Sequence, residues 1–146
     1  MFAGSHQLTI DDKGRLAIPA RFRQKLEGEA PQLYLTVGPN PCLEIFPAAE
    51  FQRLADQIEA MEDRVVADRL NQVVIGYAVE TEIDRQGRIL VPPMLRKRAR
   101  LHGSVVLMGQ NKRMDLWADE AWNERFGEGP ASVMVGIADA FRALRR

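Results

Sequence analysis

The feature that most constrains this chain is a sentence written twice. Residues 10–23 read I-D-D-K-G-R-L-A-I-P-A-R-F-R, and residues 83–96, 73 positions on, read I-D-R-Q-G-R-I-L-V-P-P-M-L-R. Asp11, Gly14, Arg15, Pro19 and Arg23 fall on Asp84, Gly87, Arg88, Pro92 and Arg96. A second match follows each copy at a slightly different offset: Val37-Gly38, Asn40, Glu44-Ile45-Phe46 and Phe51 correspond to Met108-Gly109, Asn111, Asp115-Leu116-Trp117 and Trp122. Any site built on the motif therefore exists twice per chain, in a pseudo-twofold arrangement. Paired sites suit a repetitive ligand better than a single small substrate. The duplication also constrains the fold, because two units of about seventy residues would each bury too little surface to be more than marginal alone. The copies are expected to share one core.

With 46% apolar residues in 146, the chain has ample material for that core. Cys42 is its single cysteine, which rules out an internal disulfide framework and fits a reducing compartment. The opening Met-Phe-Ala-Gly-Ser-His-Gln lacks the basic and apolar regions of a signal peptide. The longest apolar stretch, Val73 to Val79, is too short to span a bilayer. A soluble cytoplasmic protein with no membrane partner is expected.

Twenty Lys and Arg balance twenty Asp and Glu, and a net charge of zero argues at first against nucleic acid. The distribution argues the other way. Residues 11–25 carry Lys13, Arg15, Arg21, Arg23 and Lys25 against Asp11 and Asp12. Residues 84–100 carry Arg85, Arg88, Arg96, Lys97, Arg98 and Arg100 against Asp84 alone. The compensating acids lie in 44–68 and 115–128, so one face of the molecule can be cationic. For Arg21, Arg23, Lys25 and Arg96 to Arg100, a plain solvated helix surface is an equally good reading.

Each copy opens with a short alternating strand, Gln7 to Ile10 or Glu80 to Ile83, followed by the turn Asp-x-x-Gly and a second strand, Arg15 to Ile18 or Arg88 to Val91. Gly supplies a positive φ and Asp bonds the turn backbone, a hairpin signal. Pro19 and Pro92 fit the first position of short helices over 19–26 and 92–100, with Gly28 and Gly103 as their stops. A second strand pair follows in each copy, Leu33 to Val37 with Leu43 to Phe46, and Val105 to Met108 with Met114 to Trp117. Each unit thus reads hairpin, short helix, hairpin, an α+β and mainly β pattern. Between the units, Phe51, Leu54, Ile58, Met61, Val66, Leu70 and Val73 recur at helical spacing, with a charged bend at Glu62-Asp63. That stripe is core cover rather than a site. The expected organisation is a first repeat over 5–50, a helical connector over 51–77, a second repeat over 78–122 and a C-terminal helix or tail over 123–146.

The opening Met-Phe-x-Gly, the Asp-x-Lys-Gly-Arg-Leu-x-Ile-Pro of the first copy and the Asp-x-x-Gly-Arg of the second together resemble the MraZ family of bacterial transcriptional regulators over essentially the whole chain. The resemblance implies an AbrB/SpoVT-like fold, in which two swapped-hairpin half-units build one pseudo-twofold β-barrel with connecting and C-terminal helices. It also implies ring-shaped homo-oligomers. These would bind direct repeats in double-stranded DNA upstream of the division and cell-wall gene cluster and so repress their own gene, on the nucleoid. The family's Asp-x-x-x-Arg motif falls on Asp11 with Arg15 and on Asp84 with Arg88. Two positions depart from the family pattern. Position 3 is Ala where relatives often have Arg, and Gln86 stands where the first loop has Lys13, so the two hairpins are expected to contribute unequally.

Arginine after a glycine turn suits DNA because its rigid donor fork matches the O6 and N7 acceptors of guanine, while lysine neutralises phosphate. Lys13, Gly14, Arg15, Arg85, Gln86 and Arg88 are the candidate DNA-binding residues; Asp11, Asp84 and Gly87 are read as forming the turns and orienting the arginines. The bland alternative is an intraloop salt bridge from each arginine to its aspartate, and both can hold together. An aspartyl hydrolase using Asp11 and Asp84 is the rival from another class, but each carboxylate is followed by Lys or Arg, which would keep both ionised where a dyad shares a proton. No nucleophile elbow, Walker loop or Cys/His metal spacing occurs, and His6 and His102 are isolated, so neither catalysis, a cofactor nor a metal is expected. Nearer rivals are an antitoxin or transition-state regulator of the same fold class, and a ring-forming scaffold whose basic face is incidental.

Overall fold

The computed structural model describes residues 1–26, 28 and 31–146. Its strands are β1 (Ser5–Ile10), β2 (Arg15–Ala17), β3 (Gln32–Val37), β4 (Leu43–Pro47), β5 (Val79–Glu82), β6 (Arg88–Leu90), β7 (Gly103–Gln110) and β8 (Arg113–Ala118). They form one antiparallel sheet in the order β5-β3-β4-β8-β7-β1-β2-β6. The two edge strands are consecutive in the chain, and the Asp84 N–H donates to the Arg88 carbonyl at 2.8 Å between them, so the sheet curls into a nearly closed barrel. The fold is α+β and mainly β.

The halves are exchanged, not merely adjacent. β1 meets β2 of its own repeat only at Ile10 and Leu16. Along its whole length, from Ser5 opposite Met108 to Ile10 opposite Gly103, β1 pairs instead with β7 of the other repeat. β5 pairs in the same manner with β3. β2 with β6, and β4 with β8, cross the pseudo-twofold axis itself. Alternation then aims Leu16, Leu33, Leu35, Ile45, Ile89, Val105, Leu107 and Leu116, all essentially unexposed, into one interior. Each such side chain contributes roughly 1.5–3 kcal/mol by leaving water. Half of that interior comes from each repeat, so neither repeat has a core of its own.

The helices are α1 (Ala20–Arg23), α2 (Ala48–Glu59), α3 (Arg64–Leu70), α4 (Pro93–Ala99), α5 (Asp119–Phe126) and α6 (Ile137–Phe141), with a π turn over Asn71–Ile75 after α3. Phe51 of α2 stacks on Tyr34 with ring centroids 4.4 Å apart, and Phe51 and Ile58 of the expected stripe are buried, but Val66 and Val73 are exposed. The bend at 62–63 is a cap: the Asp63 carboxylate accepts from the N–H groups of Val65 and Val66, both at 3.1 Å. Two expectations need correction. Pro19 and Pro92 are N-cap residues, and Pro93 holds the first position of α4. Nor does Gly103 stop α4. Arg100 turns left-handed at φ 56°, and the Leu101 N–H returns to the Arg96 carbonyl at 2.8 Å. This Schellman closure is held by burying Leu101, which outweighs the cost of a side chain in that conformation.

Candidate nucleic-acid interface

The β2–β6 ladder decides where the repeated motif points. Leu16 faces Ile89 across it, and both are buried. Their neighbours must therefore face outward: Arg15 opposite Leu90, and Ala17 opposite Arg88. Both motif arginines thus lie on one outer face of the barrel as diagonal neighbours, which puts their Cβ atoms about 7–8 Å apart. The two Asp-x-x-Gly turns flank this ladder at opposite ends.

Each turn is built the same way. Asp11 Oδ1 accepts from the N–H of Lys13 at 3.0 Å and of Arg15 at 2.8 Å, while its carbonyl accepts from the Gly14 N–H at 2.9 Å. Asp84 Oδ1 accepts from Gln86 at 2.8 Å and Arg88 at 2.9 Å, and its carbonyl from Gly87 at 3.0 Å. Gly14 and Gly87 close the turns at φ 88° and 79°. Chiefly because the backbone N–H of Arg15 bonds the charged form, Asp11 is held below the usual carboxylate range, and Arg88 does the same for Asp84. Both aspartates are ionised at neutral pH, and they sit in separate turns at opposite ends of the ladder. They do not form the shared-proton pair that a hydrolase would need.

The arginines differ. Arg15 Nε donates to Asp11 Oδ2 at 2.7 Å. Arg88 Nε stands 3.5 Å from Asp84 Oδ2, and it is buried with no hydrogen-bond partner among the described residues. In the first loop the carboxylate occupies Nε and leaves both Nη groups of Arg15 without a hydrogen-bond partner among the described residues. Side-chain exposures of 40% for Arg15 and 31% for Arg88 keep both accessible from outside. Lys13, Arg85 and Gln86 are exposed at the turn tips. Leu90, 53% exposed, lies on the same face directly opposite Arg15.

Gly14 has a different place from its expected partners in contact. It is buried, its N–H is spent on Asp11, and its carbonyl accepts from the Val91 N–H of the other repeat at 2.8 Å. The Gly87 carbonyl accepts from Ile18 in the mirror arrangement, also at 2.8 Å. Both glycines shape the tips and seat them against the opposite repeat. Of the helix cations, Arg21, Lys25, Lys97, Arg98 and Arg100 are exposed, and Arg98 lies over the Tyr77 ring at 4.8 Å. Arg23 and Arg96 are half-buried and reach the opposite repeat's turn. Helix periodicity missed these two; their recurrence at one position of the duplicated motif was the available signal.

A family model described as "MraZ protein, putative antitoxin-like" matches the chain twice, over residues 1–73 and 74–138. A protein named transcriptional regulator MraZ from Methylococcus capsulatus is 41% identical over 127 residues, covering 84% of this chain and 82% of its own. Proteins of the same name from Parafrankia and from Pseudomonas aeruginosa are 39% and 38% identical; the first covers 94% of this chain and 99% of its own, the second 99% of each.

Proposed function

This chain belongs to the MraZ family, and from that premise we propose that it is a sequence-specific DNA-binding transcriptional regulator that represses its own gene. Its ligand is double-stranded DNA carrying direct repeats upstream of the division and cell-wall gene cluster. It binds there as a ring-shaped homo-oligomer, in the cytoplasm and on the nucleoid. No helix among the described residues is long and apolar enough to cross a membrane, so the reading requires no membrane partner. The repeats over 5–50 and 78–122 are the DNA-binding half-units, with 51–77 connecting them and 123–146 appended.

One observation supports this most: Arg15 and Arg88 share a single outward face, each beside a carboxylate bound to its own turn. The fork of Arg15 reads guanine in the major groove, with Arg88 as its weaker counterpart. Lys13 and Arg85 neutralise phosphates, and Gln86 offers a neutral contact at the second tip. Asp11, Asp84, Gly14 and Gly87 set the shape of the tips. A single tip binds weakly, and joining several in one ring raises their effective concentration.

Arg15→Ala should abolish operator binding on the DNA upstream of the protein's own gene while melting temperature and oligomer size stay nearly unchanged. Unaltered operator affinity in that variant eliminates the mechanism. The words of the family description favour a second reading, an antitoxin of the same fold class. It predicts a tight complex with a second protein, visible in the mass of the purified assembly.

A further inference from the structure

The duplicated motif ends on Arg23 and Arg96, and among the described residues neither side chain hydrogen-bonds the turn of its own repeat. Arg96, on the second repeat's helix α4, donates from Nη1 to the Asp12 carbonyl in the first repeat's turn at 3.2 Å. Its Nε donates to the Val91 carbonyl at 2.9 Å, next to the Val91 N–H that binds Gly14. A methyl group added at Gly14 would fall 2.7 Å from Arg96 Nε and 3.0 Å from its Cζ, so the guanidinium occupies the space beside the turn where a side chain would otherwise stand. Arg23 of helix α1 occupies the equivalent place over Gly87, where an added methyl group would overlap it. Among the described residues, however, Arg23 makes neither of the two hydrogen bonds. Arg96 is thus the hydrogen-bonded clasp of the two, whereas Arg23 packs closely over its glycine without those bonds, and the turn Arg96 holds is the one with the shorter aspartate–arginine pair, 2.7 Å against 3.5 Å.

We propose that Arg96 is a positioning residue for DNA reading. From the second repeat it braces the Asp11–Arg15 turn, so that Arg15 is presented in one geometry and the first tip becomes the dominant reader of each chain. Arg23 plays the lesser part at the second tip. Two bonds to carbonyl oxygens in fixed directions need a planar fork, which a lysine ammonium lacks. A brace acts before DNA arrives, since a pre-shaped loop has less freedom to lose on binding. The inference rests on the proposed role of Arg15 in reading DNA.

The test compares Arg96→Ala, Arg96→Lys, Arg23→Ala and Arg15→Ala in the full-length protein, by operator affinity, by its salt dependence, and by amide exchange at residues 12–15 and 85–88 without DNA. A brace predicts that Arg96→Ala and Arg96→Lys both lose about tenfold in operator affinity and in preference for the operator over a guanine-substituted sequence. It also predicts faster exchange at 12–15 but not at 85–88, a melting temperature near that of the parent, and the reverse exchange pattern for Arg23→Ala. Arg96→Lys should keep the parent's salt slope because its charge is kept. Full affinity in Arg96→Lys would make Arg96 a plain phosphate contact and overturn the proposal, as would unchanged exchange at 12–15 in both variants. If Arg15→Ala alone binds like the parent, the reading of Arg15 fails and the brace loses its purpose. If Arg15→Ala loses binding while both Arg96 variants keep it, only the brace is refuted.

Discussion

Replacing Gly14 by alanine tests whether each turn is seated on the opposite repeat, because the structure supplies its own control. Gly14 and Gly4 share nearly the same positive φ, 88° and 90°. An added methyl group at Gly4 would meet nothing within 4 Å, whereas at Gly14 it would run into the Val91 carbonyl and Arg96. Both substitutions carry the cost of a side chain in left-handed backbone, about 1–2 kcal/mol. Gly14→Ala must in addition push the turn off Val91, at about 1–3 kcal/mol for overpacking. It also weakens the 2.8 Å bond from Val91 N–H to the Gly14 carbonyl, worth about 0.5–1.5 kcal/mol. The expected loss is thus about 2.5–6.5 kcal/mol at Gly14 against about 1–2 at Gly4, both by urea denaturation at one fixed protein concentration. Arg96→Ala removes one of the two obstacles, so the double variant should recover about 1 kcal/mol relative to additivity. Losses at Gly14 and Gly4 within about 0.5 kcal/mol of each other, with no coupling to Arg96, would refute the seating of the turn.

Two further outcomes follow from the charges. Glu44 and Asp115 are buried opposite each other where β4 meets β8, and Arg113 is the one cation that neutralises them among the described residues. Burial raises the Glu44 carboxyl above its ordinary range against the lowering pull of Arg113, so its ionisation costs stability once pH climbs above the unfolded value near 4.3. Glu44→Gln should therefore be more stable than the parent at neutral pH, with the gain disappearing as pH falls below that value; a gain that grows in acid would reverse the assignment. At the tips, Lys13→Gln should flatten the log–log salt dependence of DNA binding by about one ion per chain while Gln86→Ala leaves it unchanged, and equal slopes would count against an asymmetric footprint.

What could be read from the residues alone was local. Alternation around Leu16 and Ile89 identifies the buried side of β2 and β6, and Asp with Gly at fixed spacing identifies the turns. The partner of each strand lay beyond that reach, because alternation says which face is buried and nothing about which strand lies alongside. The swap becomes intelligible only through lengths. The turn consumes residues 11–14 and Pro19 caps the next helix, so β2 is three residues long and a six-residue β1 needs another partner, which β7 provides. Arg100 was illegible for a different reason: burial of the next residue, Leu101, in the core built by both repeats selects a backbone that local preference assigns to glycine. Arg23 and Arg96 looked like surface charge because helical spacing records position on a helix, whereas their half-burial depends on a turn of the other repeat, far away in sequence and brought in by the swap.

Covalent duplication also bears on the kind of DNA such a molecule can read. A homodimer with one motif per chain has two identical tips about a twofold axis, and that symmetry matches inverted half-sites. Here the tips have diverged. The first has Lys13, a 2.7 Å aspartate–arginine bond and a hydrogen bond from Arg96 to the Asp12 carbonyl; among the described residues the second has Gln86, a 3.5 Å pair and no such bond from Arg23. If, as proposed, the first tip dominates, the pseudo-twofold no longer governs recognition, and the chain would act as a polar reader with a direction along the duplex. Chains joined head to tail in a ring repeat that direction from one neighbour to the next. On the proposed reading, direct rather than inverted repeats follow from these two properties together: inequality within the chain, and rotation without inversion between chains.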